Sequence, residues 1–252
     1  MAKLDIVIPV YNEGKNIVAV LEGLRQAVRT PFHVLICYDF DEDDTLTALR
    51  EYQPAGFDLD LVKNRGLGPH GAVCSGFAAS TAAAVLVFPA DDVYNAGIID
   101  PMVRQFEAGC DIVAASRFMP GGCMEGCPWL KATLVRLGAF TLHHFAGIPT
   151  RDASNGFRMF SRQVLQQISI ESTQGFTYSL ELLVKCHRLG WRIGEVPARW
   201  FERPAGGSRF RVLKWLPAYL RWYGYAFATR LGRRRVALRA ENNGAAATPP
   251  SA

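Results

Sequence analysis

Two adjacent carboxylates, Asp91 and Asp92, close the run Val85-Leu86-Val87-Phe88-Pro89-Ala90. A hard divalent cation such as Mg2+ or Mn2+ takes one or two carboxylates together with oxygens of a substrate phosphate. The pair could therefore hold a metal against a nucleotide diphosphate. Capping the helix expected near Gly97 is the other role open to it. The four apolar residues ahead of the pair are the β-branched and aromatic types that suit a buried strand, and the proline and the acids mark its carboxyl end.

The elements that must position such a pair alternate along the chain. Strands are expected over residues 4–10, 33–37, 59–62, 85–88, 111–116 and 191–196. Ile17, Val20, Leu21, Leu24 and Val28 recur at helical spacing, as do Ile98, Ile99, Met102, Val103 and Phe106, and further helices are expected over 45–52, 129–145 and through Leu180, Leu183, Val184 and His187. Strand alternating with helix predicts a mostly parallel sheet with right-handed crossovers. In such a sheet ligands bind outside the carboxyl ends of the strands. The loops carrying Glu13, Asp39, Gly68 and Asp91 then share one edge. Gly66-x-Gly68 lacks both the full dinucleotide fingerprint and the Walker lysine, so close backbone packing with a ligand contact is expected of it. Residues 117–128, rich in glycine and proline, are expected to be irregular and a candidate lid. His143, His144 and His187 are expected on the surface or in packing.

A chain of 252 residues, 49% apolar, can bury one sizeable core. The expected organisation is a catalytic domain over 1–210, a basic amphipathic helix over 211–239 and a disordered tail over 240–252. The net charge of +5 is modest, with bases concentrated after Arg188 and acids before residue 61; an anionic partner near the C-terminal half is one reading of that asymmetry, and nucleic acid is not expected. The six cysteines are scattered and lack zinc-site spacing, so reduced thiols are expected. The first strand begins within four residues of the N-terminus, which leaves no room for a signal peptide, and charges interrupt every long apolar stretch. A cytoplasmic protein is the expectation.

Several motifs then stand in a fixed order: Ile8-Pro9-Val10-Tyr11-Asn12-Glu13, the acidic segment from Asp39 to Thr45, Gly66-Leu67-Gly68, Ala90-Asp91-Asp92, Ser116-Arg117-Phe118, Asp152-x-x-Asn155-Gly156-Phe157-Arg158, Glu195-Val196-Pro197 and Arg203-x-x-Gly206-x-Ser208-Arg209. With these the chain resembles a family 2 glycosyltransferase of the GT-A type, in the polyprenyl-phosphate branch of the dolichol-phosphate mannose synthase kind. The resemblance implies a Rossmann-like GT-A sheet flanked by helices. It implies inverting transfer of a sugar from a UDP- or GDP-sugar to a lipid phosphate acceptor. Pro9, Tyr11, Glu13, Asp39 and Gly68 match donor-binding positions, and Asp91 matches the last acid of the Asp-x-Asp metal motif. Pro89 replaces that motif's first acid, leaving Asp92 as a substitute ligand or the cation held by Asp91 and phosphate alone; Tyr38 stands where a first aspartate is usual. Arg117 matches the diphosphate-contacting arginine, with Lys131 as a supplement, and Arg203, Ser208 and Arg209 match the acceptor-phosphate loop. The guanidinium fork suits phosphate because it donates two bonds at once.

Asp152 is the candidate base or electrostatic stabiliser, and the other role open to it is a structural carboxylate bonded to loop amides. A lipid phosphate is already ionised near neutral pH and needs no strong base; a sugar hydroxyl would need one, for which Asp152 and Glu181 compete. Two other readings remain: a soluble family 2 transferase acting on a sugar or natural-product hydroxyl, and a nucleotide-sugar-binding protein without turnover. At the C-terminus, Leu213, Leu216, Leu220, Tyr223, Phe227 and Leu231 fall at helical spacing among Trp215, Tyr219, Trp222, Tyr225 and several bases. That composition fits a helix at a membrane interface or one packed on its own domain. A lipid acceptor favours peripheral contact with the inner face of a membrane.

Overall fold

The computed structural model describes residues 4–52, 56–66, 68–202 and 212–231. In chain order the elements are β1 (Leu4–Pro9), α1 (Ile17–Ala27), β2 (Phe32–Tyr38), α2 (Asp44–Glu51), β3 (Asp58–Lys63), α3 (Gly68–Ala79), β4 (Ala84–Val87), α4 (Ile99–Glu107), β5 (Ile112–Ser116), β6 (Cys123–Glu125), α5 (Trp129–His144), β7 (Arg158–Ser161), α6 (Arg162–Gln167), α7 (Thr177–Arg188), β8 (Ile193–Pro197), β9 (Arg199–Phe201) and α8 (Val212–Leu231). Seven strands form the main sheet in the order β3-β2-β1-β4-β7-β5-β8. All neighbours pair parallel except β7, which runs antiparallel between β4 and β5. The α/β architecture expected from the alternating pattern is the one observed.

Successive strand residues face opposite sides, and the core divides accordingly. Leu86, Val113 and Met159 join Ile6, Ile8, Val34 and Ile36 beneath α1 and α4, which contribute Leu21, Leu24, Met102 and Val103. Their sequence neighbours Val87, Ile112 and Phe160 face the other layer, filled by Leu142 of α5, Leu180, Leu183 and Val184 of α7, and Trp222 and Ala226 of α8. Helix α8 is thus packed on its own domain. Trp222 Nε1 donates to Ser172 Oγ (3.0 Å), Arg188 Nε donates to Thr229 Oγ1 (2.8 Å), and the hydroxyls of Tyr223 and Thr141 lie 2.6 Å apart. Trp222 and Ala226 are buried in that contact, while Leu216 and Leu220 of the same helix stay 40 and 54% exposed. No helix among the described residues is long and apolar enough to cross a membrane. Residues 240–252, expected as a tail, lie outside the described residues.

Residues 117–128 are more ordered than expected. Strand β6 lies within them and pairs parallel with β9, joining Cys123 to Arg199, Met124 to Trp200 and Glu125 to Phe201. Asn95 fixes the pairing from a third segment: its Nδ2 donates to the Arg199 carbonyl (2.7 Å) and its Oδ1 accepts from the Arg199 amide (2.8 Å). Residues 123–125 are thus braced against β9, which Asn95 anchors in turn, so this part of the stretch is a strand and not irregular.

One glycine shows how closely α3 rides on the sheet. A Cβ at Gly76 would lie 2.5 Å from Val7 Cγ1 and 2.9 Å from Cys37 Sγ, whereas one at Gly23 in α1 would meet nothing within 4 Å. Alanine should therefore have opposite effects at the two sites. Gly76→Ala should destabilise the fold by about 1–3 kcal/mol through overpacking against a stiff buried valine. Gly23→Ala should stabilise it by up to about 1 kcal/mol through helix propensity alone. Denaturant unfolding of the two variants beside the parent checks the signs.

Candidate active site

The order of the strands places the site. The chain moves outward from β1 to β2 and β3, then returns to β4 on the other side of β1. Crossovers diverge between β1 and β4, and a crevice opens beyond their carboxyl ends. Pro9 ends β1, Asp39 follows β2, Asp91 follows β4 and Arg117 follows β5, all at that same edge. Because β7 runs antiparallel, opposite Val87 and Ala114, it begins there too and delivers the loop from Asp152 to Phe157. At a strand spacing of about 4.8 Å, β4 and β5 stand about 10 Å apart across β7.

The loop after β1 is shaped by acids of the next segment. Asp43, fully buried, accepts the Asn12 amide with both oxygens (3.1 and 3.0 Å) and the Thr45 amide (2.9 Å) as N-cap of α2. Thr45 Oγ1 accepts the Glu13 amide (3.0 Å), and Asp44 accepts that of Gly14 (2.8 Å). Asn12 takes φ 51, a left-handed conformation that its short polar side chain tolerates. Tyr11 stays half exposed, its ring edge-on to Phe40 at 5.4 Å, and Glu13 is nearly buried with Asn16 Nδ2 at 2.7 Å.

Asp39 binds this corner to the glycine-rich turn. Its Oδ2 accepts the Gly68 amide (2.9 Å) and its Oδ1 accepts Asn64 Nδ2 (2.6 Å), while Asn64 Oδ1 takes the Gly66 amide (2.9 Å). A Cβ at Gly71 would sit 2.6 Å from Asn64 Oδ1, so the glycine there is what lets the asparagine in. The expected close packing is found, with Asn64 as its hub. Neither Asn64 nor Asp43's hold on Asn12 was legible; position directly after a strand was the available signal for Asn64.

Asp92 is held within its own turn. The Asp92 carboxylate accepts the Tyr94 and Asn95 amides (each 2.9 Å) and Asn95 Nδ2 (2.7 Å). Burial raises its pKa, opposed by the Asn95 side chain and the two amides. These bonds fix the turn into the short 3-10 helix at Ala96–Ile98 and leave Asp92 in the capping role, not that of a metal ligand. Among the described residues no group of three or more His, Cys, Asp and Glu side chains is arranged to hold a metal.

Arg117 and Asp152 form a single unit. Arg117 donates to the Asp152 carboxylate from Nε (2.7 Å), Nη2 (3.0 Å) and its own amide (3.0 Å), and Nη2 also reaches Ser154 Oγ (2.9 Å). Ser154 Oγ adds a bond to Asp152 Oδ1 (3.1 Å). Asp152 is fully buried and the Arg117 side chain 13% exposed. Burial alone would raise the carboxyl's pKa, but the Arg117 charge and the hydrogen bonds outweigh it and hold the pKa below the usual aspartate value. Burial likewise opposes the Arg117 charge and is overcome by Asp152, so the guanidinium pKa rises. Among the described residues Arg117 makes no hydrogen bond through Nη1, so that end of the fork can meet a ligand.

Beneath the pair lies Arg158, wholly buried, its Nη1 donating to the Ser179 carbonyl (2.5 Å) and its Nη2 to the carbonyls of Asp152 and Ala153 (each 3.3 Å). Burial pushes its pKa down to about 10. Glu181 belongs elsewhere. It is buried in α7, paired with Lys185 (2.6 Å), and accepts the amides of Glu171 (2.7 Å) and Ser172 (2.8 Å), so it cannot serve the site as a base. Lys131 lies 4.0 Å from Glu202 and 5.3 Å from the Trp200 ring centre, beside β9 rather than in the Arg117 cluster. Arg203, Ser208 and Arg209 fall outside the described residues. A cavity of about 600 Å³ adjoins Arg117, lined also by Phe118, Arg136, Phe140, His143 and Arg151. Glu13, Asp39 and Asp91 do not line it.

Comparison with known proteins agrees with this fold. The chain is 26% identical over 243 residues to a polyprenol monophosphomannose synthase of Mycolicibacterium smegmatis, covering 93% of this chain and 91% of that protein. It is 24% identical over 234 residues to a dolichol-phosphate mannosyltransferase of Pyrococcus furiosus, covering 88% of this chain and 65% of the relative. Among solved structures, glucosyl-3-phosphoglycerate synthase of Mycobacterium tuberculosis, with Mn2+, UDP and phosphoglyceric acid, superposes with a TM-score of 0.61 at 19% identity, covering 93% of this chain and 80% of that one. That likeness establishes a shared GT-A fold. The model of glycosyl transferase family 2 matches residues 5–169, about two thirds of the chain, and the protein is a glycosyltransferase belonging to that family.

Proposed function

We propose that the protein transfers a sugar, with inversion, from a nucleotide diphosphate donor to a polyprenyl phosphate at the cytoplasmic face of a membrane. The observation that carries this reading is the state of Asp152. A carboxylate that is buried, bonded to Arg117 and Ser154 and held below its usual pKa is a poor proton acceptor. A hydroxyl acceptor would need a base; a phosphate monoester, with its second pKa near about 6, arrives already ionised. The relatives named for polyprenol and dolichol phosphate mannosyl transfer support the same acceptor class.

In this reading Pro9, Tyr11, Glu13, Asp39 and Gly68 form the nucleoside end of the donor site. The diphosphate lies across the crevice toward Arg117, whose Nη1 hydrogens face the charge that develops as the anomeric C–O bond breaks. An acceptor phosphate oxygen attacks that carbon from the opposite face, and the new C–O bond forms as the nucleoside diphosphate leaves. Asp152 acts by holding Arg117, and Arg158 by holding the loop of Asp152. The acidic donor set fits a divalent cation through Asp91, one carboxylate with the diphosphate oxygens being a sufficient cradle for Mg2+ or Mn2+. Such an ion would supply Lewis-acid stabilisation of the leaving group. Arg203, Ser208 and Arg209 are proposed to hold the acceptor phosphate.

Three measurements test the reading. A UDP- or GDP-sugar at a hundredfold excess over its Kd should stabilise the fold by about 2.7 kcal/mol, a rise in Tm of about 5–10 °C at this chain length. Asp91→Asn should abolish the Mn2+-dependent part of that rise; an unchanged rise removes Asp91 from the metal site. Asp152→Asn should cost about 3–5 kcal/mol at neutral pH, because it strands a nearly buried guanidinium. The folded pKa of Asp152 lies below its unfolded value of about 3.9, so the contribution is complete above that value and disappears as pH falls through the folded pKa. The stability gap between parent and variant should accordingly be flat from about pH 5 to 8 and close only in more acid solution. The acid limb of the transfer rate should follow the acceptor's own ionisation, and a limb that stays fixed when a phosphonate replaces the phosphate would assign it to the enzyme.

A further inference from the structure

Helix α5 is apolar on two opposite faces, and one of them is uncovered. Ala139 and Leu142 pack on the domain. At 100° per residue Trp129, Leu130, Leu134, Leu137 and Phe140 fall together on the far side, on an arc of about 140°. These five are 78, 56, 58, 57 and 51% exposed, and Phe145 just past the helix is 56% exposed. A helix apolar all round belongs where both faces are covered, and a contiguous apolar patch on a protein surface marks an interaction site.

Charge indicates what covers it. No Asp or Glu occurs from Trp129 to His144, which carry Lys131, Arg136, His143 and His144. Lys131 has Glu202 beside it, but Arg136, on the border of the apolar arc, forms no ion pair among the described residues. Tryptophan at one end, leucines along the middle and an unmatched arginine at the margin are the composition of a helix lying in a lipid headgroup region. A second copy fits less well, since a two-fold contact through this face would set the bases of one α5 against those of the other. The same helix walls the cavity beside Arg117 through Arg136, Phe140 and His143.

We propose that the exposed face of α5 seats the protein on an anionic lipid surface, with the Arg117 cavity opening at headgroup level. The docking stands independently of the transfer reading; the placement of the cavity gives a lipid acceptor its route in and rests on that reading.

The test is co-sedimentation of the full chain with vesicles of phosphatidylcholine alone or mixed equally with phosphatidylglycerol. The parent should partition onto the mixed vesicles, with a blue shift of tryptophan emission that Trp129→Phe diminishes. Leu134→Glu combined with Leu137→Glu should weaken partition about tenfold or more, and Arg136→Glu should weaken it on mixed vesicles alone. Because these side chains are exposed, the variants should keep the parent's Tm and its stabilisation by nucleotide sugar. Failure of the parent to bind mixed vesicles, equal binding by the double variant, or a dimer that the double variant dissolves would overturn the docking while leaving the transfer reading intact. Vesicle binding without stabilisation by any nucleotide sugar would overturn the transfer reading and leave the docking.

Discussion

A guanidinium that meets a substrate must keep its charge in a partly dry place and hold one orientation. Removing an ion from water costs several kcal/mol after relaxation, and a partner repays that only with close geometry and its other lone pairs satisfied. Arg117 and Asp152 meet both conditions through three direct hydrogen bonds and a shared serine. The rest of the second half follows from that requirement. Strand β7 must run backwards so that its leading loop reaches the ligand edge, and Arg158 must lie under the loop, bonded to the carbonyls of Asp152 and Ala153.

The acids of this chain show how little residue type alone decides. Asp43 and Asp92 both end as caps because amides two or three residues ahead reach back to them. Asp39 is held from outside its own turn, by Gly68 and Asn64, and so braces two loops of the donor edge. Glu181 looked equivalent to Asp152 in sequence, yet a lysine one helical turn away, at i+4, closes it into the core. Asp152 has its countercharge thirty-five residues distant, at the end of another strand, which is why it sits at the edge. What separates these carboxylates is the set of partners that folding brings to each, since Asp43 too takes a distant amide, that of Asn12.

That distinction also marks the limit of what could be read ahead of the coordinates. The parallel core was legible because its strands are unbroken apolar runs between helical patterns, and the chemistry of the edge followed from where those runs stop. Strand β7 was hidden by its length, four residues of which the first is an arginine. Strands β6 and β9 were hidden by composition: three residues each, mixed in polarity, they exist because Asn95 and the backbone pairing hold them, not because of β-propensity. Asn64 carries no periodicity to betray it, and its importance comes from Gly71 making room.

The two C-terminal-layer helices invert the inference that their sequences invite. Helix α8 has the stripe, the aromatics and the bases associated with an interfacial helix, but a stripe reports only that one face is apolar and not what meets it. Here α7 meets its Trp222 side, with Trp222 sealed against the Ser172 hydroxyl and the Lys185 ammonium 5.0 Å from its ring centre, while Leu216 and Leu220 stay exposed. Helix α5 has apolar side chains on both of its opposite faces and so shows no single stripe, which in a sequence reads as a core helix. Only packing on a single side separates the two cases, since a helix apolar all round and covered on one face must find its second cover outside the domain. The surplus of apolar side chains, rather than their alternation with polar ones, is the signal that points away from the protein's own core.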